Sequence, residues 1–62
     1  MNMLGELVTC KWMDNTLCFV IESVKREYSP TDFYFIYRVY DFVNSEFYWV
    51  DEEDLEKVLE KT

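Results

Sequence analysis

The sequence predicts a mainly β protein, a small and strongly bent barrel of four to five short strands with a short C-terminal helix. Half of the 62 residues are hydrophobic and 19% are aromatic, which excludes an intrinsically disordered chain. Glycine and proline occur once each, and no linker or repeat divides the chain, so we expect one domain over residues 1–62. A flat four-stranded sheet with one helix is the competing arrangement.

Turn chemistry separates four segments rich in the β-branched and aromatic residues that favour strands. Asp14 and Asn15 tolerate the left-handed conformation and predict the first turn. The stretch around Pro30 predicts the second, and Asn44-Ser45 predicts the third. The strands are predicted within residues 6–50, at 7–12, 17–24, 33–40 and 46–50.

The third segment is apolar on both faces of the predicted strand, as expected where a small sheet curls over its own core. Side chains alternate between the faces of a strand. One face is predicted to hold Phe33, Phe35, Tyr37 and Val39, and the other Tyr34, Ile36, Arg38 and Tyr40.

Residues 51–61 are predicted to form an acidic helix. Asp51 is a suitable N-cap, and acidic residues crowd the first turn, where the helix dipole favours them. Leu55, Val58 and Leu59 follow the i, i+3, i+4 spacing of an apolar stripe. Glu53 and Lys57 have the spacing of a favourable ion pair. Eleven residues are too few for a stable isolated helix, so the stripe is expected to dock on the barrel.

The charge of the chain limits its partners. The formal net charge is −7, of which residues 51–61 contribute −4 and residues 1–50 contribute −3. This charge disfavours direct binding to nucleic acid and to an anionic membrane surface. It favours a basic protein partner. No apolar run approaches the length of a membrane span, and the N-terminal segment lacks the features of a signal peptide, so we expect an intracellular protein with reduced thiols.

Several segments resemble small SH3-like barrel proteins encoded by tailed bacteriophages. They are GELVTCKW at residues 5–12, the apolar strand at 17–24, YRVYD at 37–41, and YWVDEEDLE at 48–56. Such proteins usually carry glycine after the first strand and in the last hairpin, where this chain has Asp14-Asn15-Thr16 and DFVNS at 41–45. The resemblance implies an SH3-like barrel and a non-enzymatic phage protein, located in the host cytoplasm or the virion.

The residues provide little for catalysis or metal binding, and we expect no enzyme, cofactor or metal site. The chain has no histidine, the commonest general base. Cys10 and Cys18 face each other only if the first turn is centred on Asp14, and we expect two free thiols that act as small hydrophobic residues. The acidic run at 51–54 lacks the spacing of a calcium-binding loop.

Aromatic and acidic side chains are the candidates for partner binding. Tyrosine and tryptophan dominate binding hot spots, and a cluster of carboxylates steers basic partners. Tyr28 and Tyr40 are further aromatic residues that such a barrel could expose. The predicted partner-binding residues are Trp12, Tyr34, Tyr48, Trp49, Glu52, Glu53 and Glu56.

The expected function is a protein-interaction module, either associated with the virion or an accessory structural protein. The alternative is an acidic phage regulator or inhibitor that binds a basic nucleic-acid-binding or transcription protein of the host, with carboxylates that imitate phosphates. An exposed strand edge also suggests a homo-oligomer.

Overall fold

The computed structural model describes residues 2–58 as a mainly β protein, 60% strand, with one antiparallel five-stranded sheet. Two short 3-10 turns, Lys11–Met13 and Glu52–Asp54, each lie between two consecutive strands. Within this range no helix is long and apolar enough to cross a bilayer. The strands are β1 (Leu7–Cys10), β2 (Thr16–Glu27), β3 (Phe33–Asp41), β4 (Glu46–Asp51) and β5 (Leu55–Lys57).

The strand order in the sheet is β4-β3-β2-β1-β5. The 12-residue β2 is the longest strand, and it pairs with β1 through its first part and with β3 along most of its length. A register shift between Val20 and Glu22 marks a β-bulge in β2. Such bulges bend a strand and increase its twist.

Buried side chains from all five strands, together with Met3, form one hydrophobic cluster. A single sheet can enclose such a cluster only by curling around it. The prediction of a mainly β protein with four to five strands is therefore confirmed. The barrel, however, is not closed, because the edge strands β4 and β5 of the described sheet do not pair with each other.

The alternation predicted for the third strand holds along most of β3. Tyr37 and Val39 are fully buried, whereas Tyr34 is 43% exposed. Asp41 continues the buried face. Phe33 contacts Phe35 of the same predicted face but lies at the far end of the strand and is 51% exposed.

Residues other than glycine adopt the left-handed conformation in the β1–β2 turn and in the β3–β4 turn. Asp14 and Asn15 have φ values of 52° and 57°, and Ser45 has a φ of 55°. The first turn is the one that the sequence predicts from Asp14 and Asn15. It begins earlier than predicted: the Asn15 N–H donates to the Cys10 carbonyl at 3.0 Å. Consequently β1 ends at Cys10, and Trp12 lies in a 3-10 turn instead of a strand.

The second strand extends well beyond its predicted end. The predicted second strand stops at residue 24 because residues 25–27 are polar, yet β2 continues to Glu27. The extension pairs with the first part of β3, where Lys25 faces Phe35 and Glu27 faces Phe33. Backbone pairing with an apolar neighbour therefore overrides the polar composition.

The prediction of a helix over residues 51–61 is wrong for the part of the segment that the structure describes. Asp51 ends β4 and makes no side-chain cap, residues 52–54 form a 3-10 turn, and residues 55–57 form β5. Leu59 and the rest of 59–61 lie outside the described residues. Thr9 and Cys10 in β1 pair with Glu56 and Leu55 in β5. This pairing satisfies the backbone groups at an otherwise open edge, whereas a short helix must first overcome a costly nucleation step.

Candidate functional site

A groove of about 770 Å³ opens between the β2–β3 loop and the segment that joins β4 to β5. Its lining is mostly aromatic and acidic, and Met3 and Leu55 lie among the lining residues. We call the aromatic wall Tyr28, Phe33, Tyr34 and Phe35, and we call the acidic wall Asp51, Glu52, Glu53 and Glu56.

The β2–β3 loop holds the outer part of the aromatic wall in place. The Ser29 hydroxyl accepts backbone N–H bonds from Thr31 at 3.3 Å and Asp32 at 3.0 Å, and it donates to the Asp32 carboxylate at 3.1 Å. The Tyr28 N–H donates to the Asp32 carbonyl at 3.3 Å. Tyr28 is thus fixed at the base of the loop, with its ring 5.8 Å from that of Tyr34.

The aromatic wall continues into the core through a series of ring contacts along β3. Phe33 meets Phe35 edge to face at 5.7 Å, and Phe35 stacks on the buried Tyr37 at 6.2 Å. Aromatic pairs at these separations are attractive beyond the area that they bury. The exposed end of the wall is therefore held by packing against the core.

The acidic wall is produced by the second 3-10 turn and by β5. The turn places Glu52 and Glu53 beside the groove, and β5 adds Glu56. Lys57 also lines the groove, so its lining carries four acidic residues and one basic residue, a formal charge of −3. Carboxylates concentrated at a cleft focus the electrostatic potential and attract cations.

A cation of the chain itself already contacts the aromatic wall. The Nζ of Lys25 lies 4.3 Å from the centroid of the Phe33 ring. This is the geometry of a cation–π interaction, in which the negative face of the ring attracts the ammonium group. The groove therefore combines two features that bind positive charge, ring faces and carboxylates.

The groove brings together four of the seven predicted partner-binding residues. Tyr34, Glu52, Glu53 and Glu56 all line it. The other three, Trp12, Tyr48 and Trp49, do not line it.

Trp12 and Tyr48 contact each other edge to face at 6.0 Å. The Tyr48 hydroxyl donates to the Glu46 carboxylate at 2.6 Å, and this bond is the main reason that the pKa of Tyr48 is raised to about 12. Trp49 is 48% exposed and faces Arg38 across the β3–β4 pair. These three residues are not part of the groove.

Sequence reasoning missed four of the eight wall residues, Tyr28, Phe33, Phe35 and Asp51. The sequence places Phe33 and Phe35 on one face of the third strand and Asp51 at a helix cap. For Tyr28, Phe33 and Asp51 the available signal was a position at or beside the end of a strand, because side chains at the open end of a curled sheet are covered by no neighbouring strand. Asp51 is where β4 ends, opposite Ile36 of β3.

The two cysteines lie in the core as free thiols. The first turn leaves Cys10 opposite Thr16 and Cys18 opposite Val8, so the cysteines do not face each other. Desolvation raises the pKa of both thiols, that of Cys18 to about 11. A thiol is reactive as the thiolate, so both groups are suited to packing. Within residues 2–58 no cluster of three or more metal-ligating side chains occurs.

No protein-family model, curated protein or solved structure matches the chain.

Proposed function

We propose that the chain is a non-enzymatic protein-interaction module that binds a basic segment of a partner protein in the groove. The observation that carries this proposal is that the aromatic wall and the acidic wall line one open groove. Ring faces and carboxylates both attract lysine and arginine side chains. A pocket built for catalysis would instead need tuned acid–base groups, and the chain contains no histidine.

The fold part of the proposal is an SH3-like architecture with an open barrel. Two features support it: the last strand pairs with the first, and a 3-10 turn joins the last two strands. The segments at residues 5–12, 17–24, 37–41 and 48–56 resemble SH3-like proteins of tailed bacteriophages. On that resemblance we propose a phage protein, virion-associated or accessory, located in the virion or the host cytoplasm.

The binding proposal is tested by titrating the isotope-labelled protein with a lysine- and arginine-rich peptide and following backbone NMR shifts. A peptide of the same length with glutamine in place of the basic residues is the ligand control. We expect shifts at the groove residues with the basic peptide alone, and weaker binding as salt screens the acidic wall. Equal binding of the two peptides, or shifts away from the groove, would refute the proposal.

Two variants with matched controls locate the binding surface. Glu53→Gln removes one charge from the groove and is expected to weaken binding roughly three- to tenfold, whereas Asp14→Asn removes the same charge in the first turn and should change binding little. Tyr34→Ala removes a ring from the aromatic wall, and Trp12→Ala removes the exposed ring of the Trp12–Tyr48 pair. A larger loss with Trp12→Ala than with Tyr34→Ala would place the partner on that pair instead.

The alternative function, a regulator that imitates nucleic acid, is supported by the concentration of four carboxylates on the acidic wall. A host protein captured from lysate would then release the chain when duplex DNA is added, because both ligands occupy one basic surface. Replacing Glu52, Glu53 and Glu56 together by glutamine should abolish this capture. Retention of the partner by the triple variant would exclude the mimic, and absence of the chain from purified virions would exclude a virion component.

A further inference from the structure

A row of apolar side chains crosses four strands on the outer face of the sheet. Phe47 of β4 faces Tyr40 of β3, Tyr40 faces Phe19 of β2, and Phe19 faces Leu7 of β1. The rings of Tyr40 and Phe47 are 5.1 Å apart. We call this set of four residues the outer row. It spans roughly 14 Å at the usual spacing between strands.

Further exposed apolar side chains flank the outer row. Phe42 and Trp49, which lie two positions after Tyr40 and Phe47, add to the patch. The Phe42 ring packs edge to face on Tyr40 at 5.2 Å, and Trp49 is the next residue of β4 on the same face as Phe47. Leu7 is 41% exposed and Phe47 is 50% exposed. A continuous apolar patch of this kind on a small protein marks an interaction surface.

The core of the molecule is small compared with the apolar surface that it leaves exposed. Among residues 2–58, nine hydrophobic side chains are buried, whereas twelve large ones are at least 39% exposed. Domains of this size commonly need a disulfide, a metal or oligomerisation to reach useful stability. The two cysteines are free. Burial of the outer row against a partner would supply the missing apolar contact.

Charge and area favour a second copy of the chain as that partner. Beside the outer row, Arg38 lies over the Phe47 ring at 4.8 Å and faces Glu22 across the β2–β3 pair. The patch is therefore locally neutral on a chain of net charge −7, so two copies can approach there without strong repulsion. The two longer axes of the molecule, 38 and 27 Å, set the largest face that it can offer to a second copy, and a standard interface takes roughly 800 Å² of each partner.

We propose that two copies of the chain associate through the outer rows of their sheets. The interface is isologous: each copy contributes the same patch, and no strand edge is required. The proposal is independent of the groove, which uses a different set of side chains.

Sedimentation equilibrium over a concentration series tests the association. We expect the 7.6-kDa chain to form a dimer with a dissociation constant of about 10–100 μM. Leu7→Lys places a charge in the outer row on an internal strand and should weaken the dimer at least about tenfold. Val43→Lys adds the same charge in the exposed β3–β4 turn and should leave it unchanged. Both variants reduce the magnitude of the negative net charge, from −7 to −7 + 1 = −6. Increased repulsion between copies therefore cannot explain a loss of dimer.

A second measurement removes the dependence on any variant. In a mixture of isotope-labelled and unlabelled wild-type protein, intermolecular NOEs should connect side chains of the outer row. A wild-type chain that stays monomeric up to about 1 mM overturns the proposal. A dimer that survives Leu7→Lys, or intermolecular NOEs confined to β4 or β5, overturns it in favour of pairing through a strand edge.

Discussion

The hydroxyl of Tyr37 accepts a hydrogen bond from the backbone N–H of Met3 at 3.2 Å, across 34 positions of the chain. Both residues belong to the core, where Tyr37 is fully buried. Desolvation is the main reason that the pKa of Tyr37 is raised. The bond ties the segment before β1 to the centre of β3, and Met3 in turn lines the groove.

Tyr37→Phe is expected to lower the free energy of unfolding by about 1–3 kcal/mol, because the buried Met3 N–H loses its acceptor. Urea denaturation measures this change. Tyr40→Phe is the matched control, since Tyr40 lies on the outer face and its hydroxyl should contribute less. An equal effect of the two substitutions would contradict a specific role for the Tyr37–Met3 bond.

The hydroxyl of Thr9 is buried and has no hydrogen-bond partner among residues 2–58. Thr9→Val replaces this hydroxyl by a methyl group of similar size. We expect the free energy of unfolding to rise by about 0.5–1.5 kcal/mol, because an unsatisfied buried polar group is removed.

Thr16→Val provides the opposite case on the neighbouring strand. The Thr16 hydroxyl donates to the Met13 carbonyl, so its loss should destabilise the protein by about 0.5–1.5 kcal/mol. A lower urea midpoint for Thr9→Val would contradict the first assignment, and a higher one for Thr16→Val would contradict the second.

Asp41 organises the β3–β4 turn with its carboxylate. One oxygen accepts the N–H groups of Val43 at 2.8 Å and Asn44 at 3.1 Å, and the other accepts the Asn44 side-chain amide at 2.8 Å. These bonds, led by the one from the Asn44 side chain, lower the pKa of Asp41. The stability that they contribute is therefore complete above the ordinary carboxyl pKa and is lost as the pH falls through the lowered one.

Asn44→Ala keeps the carboxylate and removes its strongest donor. We expect the pKa of Asp41, followed by NMR titration, to rise toward its ordinary value, and acid unfolding to begin at a higher pH. Asp41→Asn should remove this pH-dependent contribution altogether. An unchanged pKa of Asp41 in Asn44→Ala would show that the backbone N–H groups of residues 43 and 44 are sufficient to lower this pKa.

Lys25→Gln is expected to strengthen binding of the basic peptide proposed as a ligand of the groove. The substitution frees the face of the Phe33 ring and removes one positive charge near the aromatic wall, for an effect of roughly three- to tenfold. Lys11→Gln makes the same change of charge in the first 3-10 turn. Equal increases for the two variants, measured by peptide titration, would mean that net charge alone acts.

Cys10 and Cys18 should resist thiol reagents in the native protein at pH 8. Both are fully buried, and their pKa values are raised, that of Cys18 to about 11. Mass spectrometry after maleimide treatment should find both labelled only in denaturant. Val43→Cys places a thiol at a position that is 72% exposed and should be labelled in the native state. Rapid native labelling of Cys18 would show that the core opens readily.

The sequence predicts the parts of the fold that depend on local patterns. Alternation places Tyr37 and Val39 on the buried face of β3, and the chemistry of Asp14 and Asn15 produces the first turn. The polar stretch before Tyr28 does not reveal that β2 continues to Glu27, because that extension depends on pairing with β3. Local patterns fail where a partner strand decides the structure.

The segment after Asp51 illustrates the same limit. Its composition is that of a helix, with acidic residues first and Leu55 and Val58 at helical spacing. The open edge of β1 instead recruits Leu55 and Glu56 into β5, and no local feature of the segment signals this pairing. The candidate site was partly predicted for a related reason: residue types identify Tyr34 and Glu53, but only the curled sheet shows that they share a groove and that Trp49 does not.

The pairing of β1 with β5 indicates that the groove forms late in folding. Val8 faces Lys57 across 49 positions, whereas the hairpins of β2, β3 and β4 join neighbouring segments. Contacts between distant segments carry the largest entropy cost and tend to form late. Leu55 and Glu56 enter the groove only through this pairing, so the groove is complete only after a ribosome has released the chain as far as Lys57. The basic partner that we propose would therefore find its full site only after β5 has paired with β1.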